Sequence, residues 1–380
     1  MVPGPTNVPS EVMQAMLHPI INHRSPAFTK MMNSMTNMGK NIFKTNGDIM
    51  VLTTSGTGAV EASVTNLLRE GDSALVTVFG EFGDRLAQQI EDVGANAIRI
   101  SADAGNAPTI EDVEQAFKKN KDIKALYVVS NETSTGVAPK WIKDAGEIAS
   151  KNDAFYILDA ISDFGGEHIP VDDYSIDICT TGSQKCLAAP PGLSILSISE
   201  RAKRFMIENP PKRHYLNLPR YFKYAENGQT PFTPALPLYF ALAKAFEIIL
   251  NETMEKRVER HAICADAFYS GFSTMGLEFF AEDGVRSNTV IAMKYPDGII
   301  DKEFRRILDI DYGVLIAGGF GQHAGKVFRV GSMGMINRHH VMATLSAIGN
   351  TLVRMGVKVN VEDSLSVASE KLNRITESSN

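Results

Sequence analysis

Lys185 lies in TTGSQKCLAAPPG, just after the apolar run DICTT, with small and apolar residues around it. Lysines are ordinarily exposed among polar neighbours. One held among apolar groups can have a depressed pKa and act as a nucleophile or Schiff-base amine. A structural lysine that snorkels its charge outward fits the local pattern equally well. A second group, Ser55-Gly56-Thr57-Gly58, joins a β-rich run to an amphipathic segment. Free amides and the dipole at a helix start favour an anion such as phosphate, and the glycines allow close approach. Many α/β turns of this kind hold no ligand. Asp159 ends the run AFYILD, where open α/β sheets bind ligands. A carboxylate there can keep the ring nitrogen of a pyridine cofactor protonated; taken alone, Asp159 reads better as a cap or turn residue.

Other chemistries find little support. No GxGxxG follows a strand, so a dinucleotide fold lacks its fingerprint. In GGFGQHAGK (318–326), Phe320 stands where a Walker loop needs its first glycine, and Val327 replaces the Ser or Thr that would meet magnesium. The 380 residues carry a net charge of −6, which argues against a general nucleic-acid binder. The apolar region 232–250 contains Pro234, Pro237, Lys244 and Glu247 and reads as a buried helix, not a membrane span. The start MVPGPTNVPS has no secretory pattern. Cys179, Cys186 and Cys264 have neither disulfide parity nor zinc spacing, so no metal site and a cytoplasmic protein with reduced thiols are expected.

These side chains need a frame. Apolar runs at 49–54, 73–79, 125–130, 154–159, 177–181 and 193–198 suit strands buried on both faces. Amphipathic segments lie between several of them, which predicts an α/β fold with a mostly parallel sheet. From about residue 254 the rhythm changes. A long helix (254–275), a strand (289–294), a helix (301–308), two short strands (313–317 and 327–330) and a last helix bearing Val341, Leu345, Ile348, Leu352 and Met355 read as a smaller α+β domain. The expected division is a segment 1–15, a large domain 16–253, a small domain 254–360, and a polar tail 361–380, disordered or a loose helix.

Gly182-Ser183-Gln184-Lys185 followed by Ala189-Pro190-Pro191-Gly192 resembles the cofactor-lysine motif of class V aminotransferases, most of all the alanine–glyoxylate and serine–pyruvate branch. Pro3-Gly4-Pro5-Thr6-Asn7, SGTGAVEA (55–62), NETSTG (131–136) and GKVFRVGSMG (325–334) agree in order and spacing. The resemblance spans all but the tail. It implies a fold-type-I enzyme in which Lys185 holds pyridoxal 5'-phosphate as a Schiff base and then shuttles the proton. It also implies that Ser55, Gly56, Thr57 and Gln184 bind the phosphate, that Asp159 pairs with the pyridinium, and that Thr133 touches the ring hydroxyl region. Ile161 belongs to the same cofactor set, and Phe82 matches the place where relatives stack an aromatic ring, often Trp. Arg329 would clamp the substrate carboxylate, with Gly4 as a wall. Thr233 and the loop around Gln229 resemble a segment that reaches a neighbouring subunit's phosphate, which implies a homodimer with shared sites.

The implied reaction passes an amino group from alanine or serine to glyoxylate or pyruvate. Aspartate is the alternative donor, with a second cation drawn from Arg24, Lys212, Arg213 or Arg220; an aminophosphonate is more distant. Cysteine desulfurases resemble the chain less, because Gln184 replaces the histidine they usually carry before the lysine. Cys186 is also too close to Lys185 to swing onto a substrate. A non-catalytic binding protein would leave the joint presence of lysine, aspartate, arginine and phosphate turn without a reason.

Overall fold

The computed structural model describes residues 1–375. Its centre is a seven-stranded sheet of β1 (Asp48–Leu52), β2 (Ser73–Val78), β3 (Asn96–Ser101), β4 (Ile123–Val129), β5 (Phe155–Asp159), β6 (Ile178–Gly182) and β7 (Ser194–Ile198). The spatial order is β1-β7-β6-β5-β4-β2-β3, and β7 alone runs against its neighbours. The interior strands are buried on both faces, as their unbroken apolar runs require. Helices Pro26–Phe43, Ile142–Lys151 and Leu236–Glu252 pack on one face, and helices Gly56–Leu67, Glu81–Asp92 and Leu218–Ala225 on the other.

The shared direction of the other six strands puts their following loops at one edge. Ser55–Thr57 follow β1, Phe82 follows β2, Thr133 follows β4, Asp159 ends β5, and Lys185 follows β6. Ligands bind at this carboxyl edge in open α/β sheets.

A third apolar core lies between helices Met254–Thr274, Asp301–Tyr312 and Arg338–Arg354 and an antiparallel sheet of β8 (Val290–Lys294), β9 (Ala317–Gly318) and β10 (Val327–Gly331). The sequence pattern misses β3, an edge strand whose residues are mostly exposed or half-buried. It also overextends β9. Gly313, at φ 65°, ends the preceding helix in the left-handed region, and only Ala317 and Gly318 pair with β10.

Of the two forms expected for the tail, the structure shows the helix, but docked and not loose. Residues 361–372 form a helix capped by the Asn360 side chain, which accepts from the Asp363 amide at 3.0 Å. Ser364, Ala368 and Leu372 recur every four residues and are buried against helix Met254–Thr274 and its neighbours. Gly271 permits this approach: a Cβ there would lie 2.7 Å from Leu345 and 3.1 Å from Ser364 Oγ. A stripe of two small residues and one leucine is too faint to stand out in a charged, serine-rich segment. The tail's last residues, 376–380, lie outside the described residues.

Leu372 is 1% exposed, so Leu372→Ala removes buried surface and leaves a cavity. The expected cost is about 2–4 kcal/mol, read as a lower denaturant midpoint; an unchanged midpoint would detach this helix from the core.

Candidate active site

The loop carrying Lys185 is built from buried hydrogen bonds. Ser183 Oγ donates to the Pro190 carbonyl at 2.6 Å and accepts from the Leu193 amide at 3.3 Å, closing residues 183–193 on themselves. Ala188 adopts φ 54° in this loop, a left-handed conformation costly for a residue with a Cβ. Arg257, fully buried, donates through Nη2 to the Cys186 carbonyl at 2.5 Å and pairs with Glu252 at 2.7 Å. A helix of the third core thereby fixes the backbone next to the lysine.

The chain's first residues complete the setting. Lys185 Nζ donates to the Pro3 carbonyl, and Thr6 donates from its amide to the Gln184 carbonyl at 2.9 Å and from Oγ1 to the Lys185 carbonyl at 3.0 Å. A Cβ on Gly4 would sit 2.6 Å from Lys185 Nζ, and Gly4 has φ 96°, so glycine is required twice over. Burial pulls the Lys185 ammonium down to about 8, with Arg329 adding to the fall and Cys186 and Asp159 opposing it.

Lys185 and Asp159 line one cavity of about 470 Å³ together with Thr57, Phe82, Arg85, Gln89, Asn131, Thr133 and Ile161. Burial pushes the Asp159 carboxyl up to about 6, against a 3.0 Å hydrogen bond from the Ile161 amide. It therefore remains mostly ionised at neutral pH. Behind it, burial pushes Asp163 up to about 8, and Asp163 lies 2.7 Å from Ser130 Oγ. The Ser130 hydroxyl donates to Asp163 and also lies 3.0 Å from the Asp159 carbonyl.

The start of helix Gly56–Leu67 faces the same region. Among the described residues the Gly56 and Thr57 amides have no acceptor, and the Ser55 hydroxyl caps nothing. A Cβ on Gly56 would lie 2.6 Å from Ile161 Cδ1, so this turn and the Asp159 loop meet without room for a side chain. Gln184 Oε1 is buried with no partner. Unpaired donors at a helix start suit an oxyanion; the orphaned Gln184 oxygen is an acceptor and adds no donor.

Arg329, 5% exposed, stands on β10; it does not itself line this cavity but is tied to Thr133, which does. Nη1 donates to the Thr133 carbonyl at 2.8 Å and Nε to the Gly318 carbonyl at 2.9 Å; Nη2 has no acceptor among the described residues. Burial lowers its pKa to about 10, with Glu132 opposing, so the charge persists at neutral pH.

Thr233 is exposed and outside the cavity. Gln229 accepts from Arg24 Nη1 at 3.0 Å, which also spends Arg24 on the large domain's own surface. Neither Arg24 nor Lys212, Arg213 or Arg220 lines the cavity; Arg85, overlooked in the sequence, does. Glu132 was also passed over, although it falls within NETSTG. Its buried carboxylate accepts from the Phe82 and Gly83 amides at 3.0 and 3.1 Å and from the Ser134 amide and hydroxyl at 3.0 and 2.6 Å. It caps helix Glu81–Asp92 and fixes where Phe82 begins.

The sheet edge, the half-buried lysine and aspartate on one cavity, and the arginine tied to its wall define an aminotransferase of the α/β type. Comparison with known proteins agrees. The model for class-V aminotransferases matches residues 2–351, and the chain belongs to that family. An uncharacterized aminotransferase of Methanocaldococcus jannaschii is 42% identical over 374 residues, covering 98% of this chain and 97% of its own. Serine–glyoxylate aminotransferase of Methylorubrum extorquens is 30% identical, with 98% and 95% covered. The crystal structure of ureidoglycine–glyoxylate aminotransferase from Bacillus subtilis superposes with a TM-score of 0.92 at 29% identity, covering 98% and 97% of the two chains.

All three cysteines are buried, and none lines the cavity. Burial pushes the Cys186 and Cys264 thiols up to about 12 and Cys179 well above its ordinary value. The native protein at pH 8 should resist iodoacetamide at all three and react fully once denatured. Rapid native labelling of Cys186 would reopen a thiol-based chemistry.

Proposed function

We propose that the chain is a pyridoxal-phosphate-dependent aminotransferase that moves the amino group of alanine or serine to glyoxylate or pyruvate in two half-reactions at one site. The observation that carries this reading is the gathering of Lys185 and Asp159 on one cavity, with Arg329 hinged to its wall through the Thr133 carbonyl. The donor set fits the cofactor. The unpaired Gly56 and Thr57 amides, the Ser55 hydroxyl and the Gln184 Nε2 would hold its phosphate, Phe82 and Ile161 its ring, and Thr133 the ring hydroxyl region. When bound, the cofactor supplies an aldehyde that exchanges amines and a ring that draws electrons from the substrate Cα.

The chain's residues do the rest. Asp159, ionised at neutral pH, pairs with a protonated ring nitrogen. Lys185 Nζ, with its pKa near 8, takes the Cα proton as a base and returns it as an acid. Arg329 offers Nη2 to the substrate carboxylate, a charge-assisted contact that also orients the Cα–H bond. Gly4 keeps the N-terminal segment low against the lysine. Relatives that name glyoxylate as acceptor support the small-substrate reading.

A homodimer is part of the same proposal. Thr233 is exposed, and Met13, Leu17 and Ile20 are 48%, 83% and 67% exposed, an apolar surface that a second copy would cover. The reduced thiols suit a cytoplasmic setting. Among the described residues no helix is long and apolar enough to cross a membrane.

Purified protein supplied with pyridoxal phosphate should show a visible absorption band that alanine bleaches and glyoxylate restores; Lys185→Ala should not turn over. A band that answers only aspartate would keep the mechanism and replace the donor. Arg329→Ala should raise KM for alanine at least about tenfold with cofactor still bound, since a charge-assisted hydrogen bond contributes about 1.5–3 kcal/mol. An unchanged KM would remove Arg329 from the site. Only the unprotonated Lys185 amine can attack the cofactor aldehyde. Cofactor uptake by the apoprotein should therefore slow about tenfold per pH unit below about 8 and level off above it. Uptake independent of pH between 6 and 8, about two units, would contradict a lysine that titrates there.

A further inference from the structure

The loop GGFGQHAGK, dismissed as a phosphate loop, joins β9 to β10 and reaches from the third core to the large domain. Its position is tightly constrained. Gly319 lies so close to the loop's far limb that a Cβ would meet the His323 carbonyl at 2.2 Å. Gly321, with φ 48°, rests on the large domain, where a Cβ would lie 2.3 Å from Glu81 Oε1. The His323 ring packs edge-on against Phe280 at 4.7 Å. Both ends of the loop are therefore anchored.

Between these anchors stands Phe320, an aromatic side chain left 40% exposed. Its ring lies 4.4 Å from the Arg329 guanidinium carbon and meets the Phe82 ring edge-on at 6.2 Å. One residue thus touches both the proposed carboxylate clamp and the proposed cofactor stack. The ring also lines a surface cavity of about 1040 Å³ with Glu81, Asp84, Ser134, Thr135, Gln322 and His323. That cavity and the inner one share a wall, since Glu81 and Ser134 line the outer and their chain neighbours Phe82 and Thr133 the inner. Glu81 and Asp84 are exposed, with no ion-pair partner among the described residues.

The geometry points to Phe320 as the specificity-determining residue: it walls the Arg329 clamp, restricts donors to small side chains, and separates the site from an acidic outer cavity. This rests on the proposed role of Arg329. With the substrate carboxylate on Nη2, a side chain directed toward the outer cavity would meet the Phe320 ring, whose centroid lies 4.4 Å from Arg329 Cζ. A longer side chain must displace that ring, which costs its stacking on Arg329. Removing the ring opens space toward Glu81 and Asp84, which accept a neutral chain and repel a carboxylate.

The test is kcat/KM for alanine, methionine and glutamate as donors in the wild type, Phe320→Ala and Phe320→Leu. The methionine-to-alanine ratio should rise at least about tenfold in Phe320→Ala and less in Phe320→Leu, the scale on which apolar pockets discriminate. The glutamate-to-alanine ratio should stay within about twofold of wild type. Ratios are the readout because loosening Arg329 would raise KM for every donor together. Phe320→Leu keeps an apolar side chain, so it reports even if the alanine variant does not fold. A methionine ratio unchanged in the folded variants, with alanine still converted, overturns the wall while leaving the aminotransferase reading intact. A glutamate ratio that climbs with methionine's overturns the acidic separation. A wild-type protein that converts no amino acid sinks the proposed function, and this inference with it.

Discussion

A lysine amine that must react near neutral pH cannot be left in water, where its pKa stays near 10.4. Nearly every unusual feature around Lys185 serves to keep it out. Desolvation is the largest influence on its pKa, and desolvation requires a lid and a floor with no water between them. The floor is the 183–193 loop, closed by Ser183 and held from below by Arg257. The lid is the N-terminal segment, where Gly4 leaves no Cβ to push the amine away. These parts come from the first residues, the sheet and the third core. The lysine environment thus depends on all three being docked.

The same constraint explains the buried charges. Arg257 and Glu132 are both fully buried, a costly arrangement unless every group finds a partner. Arg257 gains Glu252 and the Cys186 carbonyl through its two Nη atoms, although its buried Nε is left without a partner, while Glu132 gains four donors. Each joins a site loop to a rigid element: the lysine loop to a long helix, the Thr133 loop to the start of helix Glu81–Asp92. Such links hold flexible loops in position where purely apolar packing would let them slide. The hydrogen bond from Ser130 to Asp163 lies behind Asp159 in the same way.

Much of this was legible in the sequence, because burial on both faces writes an unbroken apolar run and strands β1, β2 and β4 to β7 obey that rule. β3 does not, being an edge strand with a single fully buried residue, Ile100. The docking of helix Val361–Leu372 hid for the opposite reason: serine and alanine fill a close helix contact as well as leucine does, but raise no hydrophobic signal. In the site, residues with unusual neighbours in the chain (Lys185, the Ser55–Thr57 turn, Asp159) declared themselves. Arg85, Phe320 and Glu132 did not. Their roles arise from what lies across a loop or a domain boundary, and local sequence carries no trace of that.

Arg329 shows why that boundary matters. On β10 its backbone belongs to the third core, yet its guanidinium is held by the Thr133 carbonyl of the large domain and stacks on Phe320. A guanidinium fixed on two nitrogens has lost most of its rotational freedom before any carboxylate arrives, so less entropy is spent on binding. That preorganisation has a consequence. Because the Thr133 carbonyl anchors Arg329 and Thr133 lines the inner cavity, a shift of the third core by even an ångström would move the proposed carboxylate clamp relative to Asp159 and Lys185. Docking of the two cores and alignment of Arg329 with Lys185 and Asp159 are therefore one geometric condition, set where the Arg329 guanidinium meets the Thr133 carbonyl.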